Sequence, residues 1–143
     1  MVVEDEPDIY EVILAMFEMW GIEGVAFVEG EEVLAWIDDV DAGRYTGDKP
    51  ELALLDIRLP GAVDGVQVGE RLRQSPVLSN IAIVLTTAYR MSSEEQEDAM
   101  KRTKADRWLP KPLPKFNELQ SILESVIALR RQTMNTRKDN GNP

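Results

Sequence analysis

Three carboxylates stand in succession at Glu4-Asp5-Glu6, a fourth at Asp56 directly behind the apolar run Leu52–Leu55, two hydroxyls at Thr86-Thr87 behind Ile81–Leu85, and one ammonium at Lys111 behind Ala105–Leu109. Each group follows a short predicted strand, and the first three of those strands are apolar runs of the kind burial requires. In a parallel sheet those strand ends share one edge, so carboxylates, a hydroxyl and an amine converge there. Clustered carboxylates repel one another unless a cation neutralises them, and an all-oxygen ligand set favours Mg²⁺. Such a site suits phosphoryl transfer, with Asp56 as nucleophile beside a metal, Lys111 balancing the oxygens of the transferred group and a threonine donating to one of them. Taken singly, each residue has a plainer reading: a strand-end aspartate caps a helix, and threonine is simply a good strand former. The order of all of them, each at the end of a predicted strand, is what carries the chemistry.

The elements that must position these groups follow from hydrophobic spacing. Met1–Val3 gives a first strand, short for a central one, so the natural chain is expected to begin earlier. Pro7 suits the first turn of a helix in which Ile9, Val12, Ile13, Met16, Phe17 and Trp20 recur on one face, and Gly21 stops it. Val25–Val28 is a second strand, Val33 to Val40 a second helix, and Asp41–Pro50 a polar loop. After the Pro60-Gly61 and Asp64-Gly65 turns, Val66, Val68 and Leu72 mark a helix ending before Pro76. A capping box, Ser92 with Glu95 or Ser93 with Gln96, opens a highly charged helix through Arg102 whose few apolar residues mark it as mobile. Ala105–Leu109 is a last strand broken by Pro110, and Phe116, Leu119, Ile122, Leu123, Val126 and Ile127 define a final helix. Strands alternating with helices imply right-handed crossovers and a parallel sheet covered on both faces. The domain is expected over residues 1–129, with 130–143 a polar tail, disordered or a fraying helix end.

Composition narrows the function. A chain of 143 residues with 43% hydrophobic and 29% charged residues suits one globular domain. The net charge of -10 argues against nucleic-acid binding, which needs a basic face. Without cysteine or histidine, disulfides, thiolate catalysis and zinc are excluded, and any phosphohistidine must belong to another molecule. No stretch approaches ~20 apolar residues and no signal-peptide pattern opens the chain, so the expected setting is the cytoplasm, away from membranes.

The stretches V-V-E-D-E-P, L-L-D-I-R-L-P-G-A-V-D-G, V-L-T-T-A and W-L-P-K-P resemble the receiver domain of two-component response regulators, over Met1 to Leu129. The resemblance implies a flavodoxin-like (βα)5 three-layer sandwich with a parallel sheet of order 2-1-3-4-5, an order general to receiver-type folds. It implies a signalling switch rather than an enzyme, in which Asp56 accepts a phosphoryl group from a partner histidine kinase or phosphotransfer protein. Asp5, Asp56 and the backbone carbonyl of Arg58 would ligate Mg²⁺, with Glu4 acting through water. Thr87, which precedes Ala88, would be the switch hydroxyl; Lys111 would pair with phosphoryl oxygens, and the Lys111-Pro112 bond would be cis.

Departures from the family pattern are expected to matter. Trp108 stands where tyrosine or phenylalanine is the usual aromatic switch, and it either couples to Thr87 or merely packs at the sheet edge. Lys104-Ala105 replaces a usual Gly-Ala. Arg58 and Tyr89, each two residues beyond a site residue, are expected to shield the acyl phosphate from water. The charged helix, last strand and last helix would form the face a downstream effector reads. Ile127 and Leu129 either complete the core or support a homodimer. Two other readings compete: a Mg²⁺-dependent phosphatase of the haloacid dehalogenase type, which would want an aspartate where Arg58 stands, and a flavin binder, whose phosphate Glu4-Asp5-Glu6 would repel.

Overall fold

The computed structural model describes residues 1–140, and the side chains of residues 138–140 fall outside that description. Five strands and five helices alternate strictly: β1 (Val2–Val3), α1 (Pro7–Met19), β2 (Ala26–Phe27), α2 (Gly30–Asp41), β3 (Leu52–Asp56), α3 (Gly65–Gln74), β4 (Ala82–Thr87), α4 (Ser93–Thr103), β5 (Arg107–Pro110) and α5 (Phe116–Asn140). All strand pairings are parallel, and the order is β2-β1-β3-β4-β5, the flavodoxin-like topology expected. β3 and β4 are buried at every position, which is why they read as unbroken apolar runs.

The two-residue period of a strand divides the core. Val3, Ala53, Leu55, Ile83 and Leu85 meet Val33 and Ile37 of α2, Val66 and Leu72 of α3, and Ala99 of α4 on one face. Val2, Leu52, Leu54, Ala82 and Val84 meet Ile13 and Phe17 of α1 and Leu119, Leu123 and Val126 of α5 on the other. Helix α4 buries only Ala99 and Thr103, in keeping with its charged sequence. Ser92 and Glu95 form its capping box.

Three local features have physical reasons. Pro110 closes β5 instead of breaking it, opposite Thr87, because an edge strand tolerates a residue without an N–H. Lys104 takes the left-handed conformation (φ 49°) that caps α4, the place where glycine is usual. The last helix does not end near Leu129. It runs to Asn140, with Arg131 held on Glu51 (Nε–Oε2 2.7 Å) and the Arg130 Nε donating to the Asn80 carbonyl at 3.0 Å. Residues 141–143 of the expected tail lie outside the described residues.

Candidate functional site

The carboxyl edge of the sheet is laced together by its own backbone. The Ile57 N–H donates to the Thr86 carbonyl at 2.9 Å and the Lys111 N–H to the Thr87 carbonyl at 3.1 Å, which fixes the ends of β3, β4 and β5 side by side. The Glu4 N–H donates to the Phe27 carbonyl at 3.0 Å, tying the end of β1 to β2. The Lys111-Pro112 bond that follows β5 is cis, as expected.

Into that edge point the ionisable groups singled out from the sequence. Asp56 is 3% exposed; its Oδ1 accepts the Arg58 backbone N–H at 3.1 Å and its Oδ2 accepts the Lys111 ammonium at 2.9 Å. The same ammonium donates to Glu4 Oε1 at 2.9 Å and stands 3.6 Å from Glu6 Oε1. Glu4 is 1% exposed, and its Oε2 is buried without a hydrogen-bond partner. Asp5 lies at the mouth, exposed, with one carboxylate oxygen each from Glu4, Asp5 and Asp56 within 4.8 Å of one another.

Burial, opposed by the ion pairs with Lys111, sets the titration of the cluster. Burial pushes Glu4 up to about 7, the Lys111 hydrogen bond opposing the rise and the Asp56 charge adding to it. Burial also raises Asp56, against the hydrogen bond and charge of Lys111 and the Arg58 N–H. Burial works to lower Lys111, but its hydrogen bonds to Asp56 and Glu4 hold it above the ordinary lysine value. Glu4, Glu6 and Asp56 stand around one ammonium with Asp5 beside them, an excess of carboxylates that a divalent cation would balance. The orphaned Glu4 Oε2 and the all-oxygen donor set fit Mg²⁺.

The hydroxyls divide. Thr87 is buried at the end of β4, its Oγ1 accepting the Tyr89 N–H at 3.1 Å; Thr86 is also buried, with its Oγ1 unpartnered. Trp108 is half-buried and packs on the α2–α3–α4 face of the core. Arg58 and Tyr89 do not act as separate bulky groups: the Arg58 guanidinium carbon lies 3.4 Å from the centroid of the Tyr89 ring. The loops after β3 and β4 are thus joined by a cation–π contact. The pairing was beyond sequence reasoning, although the equal offset of the two residues from Asp56 and Thr87 hinted at it. Glu31 was also missed; its carboxylate receives two N–H groups of the loop after Asp56, while in sequence it looks like one more acid in a helix's first turn.

The model of the family described as "Response regulator receiver domain" matches residues 1–124. Among curated proteins, the chain is 28% identical over 120 residues to the polar-differentiation response regulator DivK of Brucella anthropi, covering 82% of this chain and 89% of DivK. It is 24% identical over 131 residues to the chemotaxis protein CheV1 of Helicobacter pylori, covering 90% of this chain and 38% of that protein. The chain therefore spans half or less of the length of several relatives, including 50% of a transcriptional regulatory protein of Bacillus subtilis. Among solved structures, the signal receiver domain of a modulated diguanylate cyclase from Desulfovibrio desulfuricans aligns with TM-score 0.73 at 27% identity, over 92% of this chain and 94% of that one.

Proposed function

The chain belongs to the response regulator receiver domain family, and we propose that it works as a phosphorylation-dependent switch of two-component signalling with Asp56 as the phosphoacceptor. Receiver domains are in general signalling switches that bind Mg²⁺ at an acidic pocket rather than enzymes turning over external substrates. In the proposed step a carboxylate oxygen of Asp56 forms a bond to phosphorus while the P–N bond to the partner's phosphohistidine breaks, its electron pair remaining on the imidazole nitrogen. Asp5, Asp56 and the Arg58 carbonyl would hold Mg²⁺, with Glu4 acting through water; when bound, the ion offsets charge on the transferring oxygens. Lys111, already bonded to Asp56, transfers its hydrogen bond to a phosphoryl oxygen, and Thr87 gives up the Tyr89 N–H to donate to another. Trp108, on the same side of the sheet as α4, repacks as Thr87 moves and changes the face read by a partner.

One observation carries this reading: a single buried ammonium 2.9 Å from both Asp56 and Glu4, with Asp5 beside them, at the carboxyl edge of a parallel sheet. The donor is a histidine kinase or histidine phosphotransfer protein, since the chain has no histidine. The switch unit is residues 1–129, followed by the polar extension 130–143. A cytoplasmic setting without nucleic-acid or membrane binding fits the net charge of -10. Among the described residues, no helix is long and apolar enough to cross a membrane. Leu129, 63% exposed, is the residue at which a homodimer would be sought, whereas Ile127 packs on the core. The haloacid dehalogenase reading is disfavoured by Arg58, which cannot act as a general acid at neutral pH.

Incubation with acetyl phosphate and Mg²⁺, followed by intact mass measurement, is expected to show one added phosphate that Asp56→Asn abolishes. Multiple turnovers on p-nitrophenyl phosphate would instead establish a phosphatase.

A further inference from the structure

The loop from Ile57 to Asp64 carries the residues that follow the phosphoacceptor, and its two feet are fixed. The Gly65 N–H donates to the Ile57 carbonyl at 2.9 Å, and a side chain on Gly65 would overlap the Asp56 carbonyl oxygen, so α3 begins directly on the end of β3. Asp64 and Gln67 close a capping box that sets the start of α3. The apex, Pro60-Gly61, is exposed, with Gly61 four residues from Ile57 and four from Gly65.

That apex is seated on α2. Gly30 at the first turn of α2 lies against Val63, close enough that a β-carbon would stand 2.6 Å from the Val63 carbonyl oxygen. Gly61 takes φ +84°, turning the chain so that the next two amides, Ala62 and Val63, face one acceptor. Both donate to Glu31 Oε1, at 3.0 and 2.9 Å. The carboxylate is held below the ordinary glutamate pKa by backbone N–H groups, its own first, then those of Val63 and Ala62. Charge-assisted bonds of this kind are stronger than neutral ones. Helix α2 is itself a rigid support, with Val33 and Ile37 fully buried in the core.

We propose that Glu31 is a positioning residue: by clasping the Ala62 and Val63 amides it fixes the loop that presents the Arg58 carbonyl to Mg²⁺ beside Asp56. The inference rests on the receiver reading above. Glu31 touches no reacting atom. It acts by removing loop freedom before the ion arrives, so that less ordering is required on binding.

The test compares wild type, Glu31→Ala and Glu31→Gln by isothermal titration with Mg²⁺ alone, and by amide hydrogen exchange. Glu31→Ala is expected to speed exchange at Ala62 and Val63 and to weaken Mg²⁺ binding about tenfold, the low end of what outer-shell partners cost. Glu31→Gln keeps an oxygen in the same place and is expected to restore binding to within about threefold, which a role through net charge alone would not allow. Circular dichroism melts confirm that both variants fold. Unchanged Mg²⁺ affinity in Glu31→Ala, or a Glu31→Gln as weak as Glu31→Ala, overturns the inference while leaving the receiver reading intact. A wild-type protein that binds no Mg²⁺ overturns both.

Discussion

Removing the Tyr89 ring should shorten the life of the phosphorylated protein. The Arg58 guanidinium carbon lies 3.4 Å from the ring centroid, and Tyr89 is 56% exposed, so the contact is worth the surface value of about 0.5–1 kcal/mol. If the stacked pair covers Asp56 from water, that energy biases the cover towards its closed arrangement by a factor of about two to five at room temperature. Tyr89→Ala is therefore expected to speed loss of the acyl phosphate about two- to fivefold. Arg58→Ala should do the same, because it retains the backbone carbonyl proposed for Mg²⁺ and the N–H given to Asp56 Oδ1. The double variant should decay no faster than either single one, since each change alone already dismantles the pair. The assay is decay of the acetyl phosphate-labelled protein after removal of donor, followed by intact mass. An unchanged lifetime in Tyr89→Ala refutes the shielding argument, and multiplicative effects in the double variant refute the pair acting as a unit.

Glu4 gives a pH dependence whose sign follows from its raised value. Its carboxyl is shifted from 4.5 to about 7 in the folded protein, so its proton is held more tightly folded than unfolded. The stabilisation is fully present below about 4.5 and is lost as pH rises to about 7; metal-free melts should decline across that window, and Glu4→Gln should flatten the decline. Lys104 holds φ 49° without being glycine, so Lys104→Gly should stabilise the fold by up to about 1 kcal/mol, read as a melting temperature a few degrees higher. Gly65→Ala should do the reverse, costing about 1–3 kcal/mol in urea titration, because its methyl group overlaps the Asp56 carbonyl.

Much of the fold was legible because local chemistry and tertiary demand coincide. β3 and β4 are buried on both sides, so no polar residue interrupts them until Asp56 and Thr86, and the hydrophobic period marked α1 and α2. The end of α5 was not legible. Past Leu129 no apolar stripe supports a helix, and what holds it includes the Glu51–Arg131 and Asn80–Arg130 contacts, made by residues 80 and 50 positions apart in sequence. Pro110 misled for a related reason: whether proline breaks a strand depends on whether the strand lies at an edge.

The sequence by itself determined which residue types stand at which strand ends, because strand and helix periods reflect only near neighbours in the chain. That sufficed to propose Glu4, Asp5, Asp56, Thr87 and Lys111 as one group. Tertiary structure alone decided how they share charge, with one ammonium bridging Glu4 and Asp56 while Asp5 stays at the mouth, and it alone joined Arg58 to Tyr89 and Glu31 to the loop apex. Such contacts depend on how separate elements dock, and side-chain reach across a docked interface leaves no period in the chain.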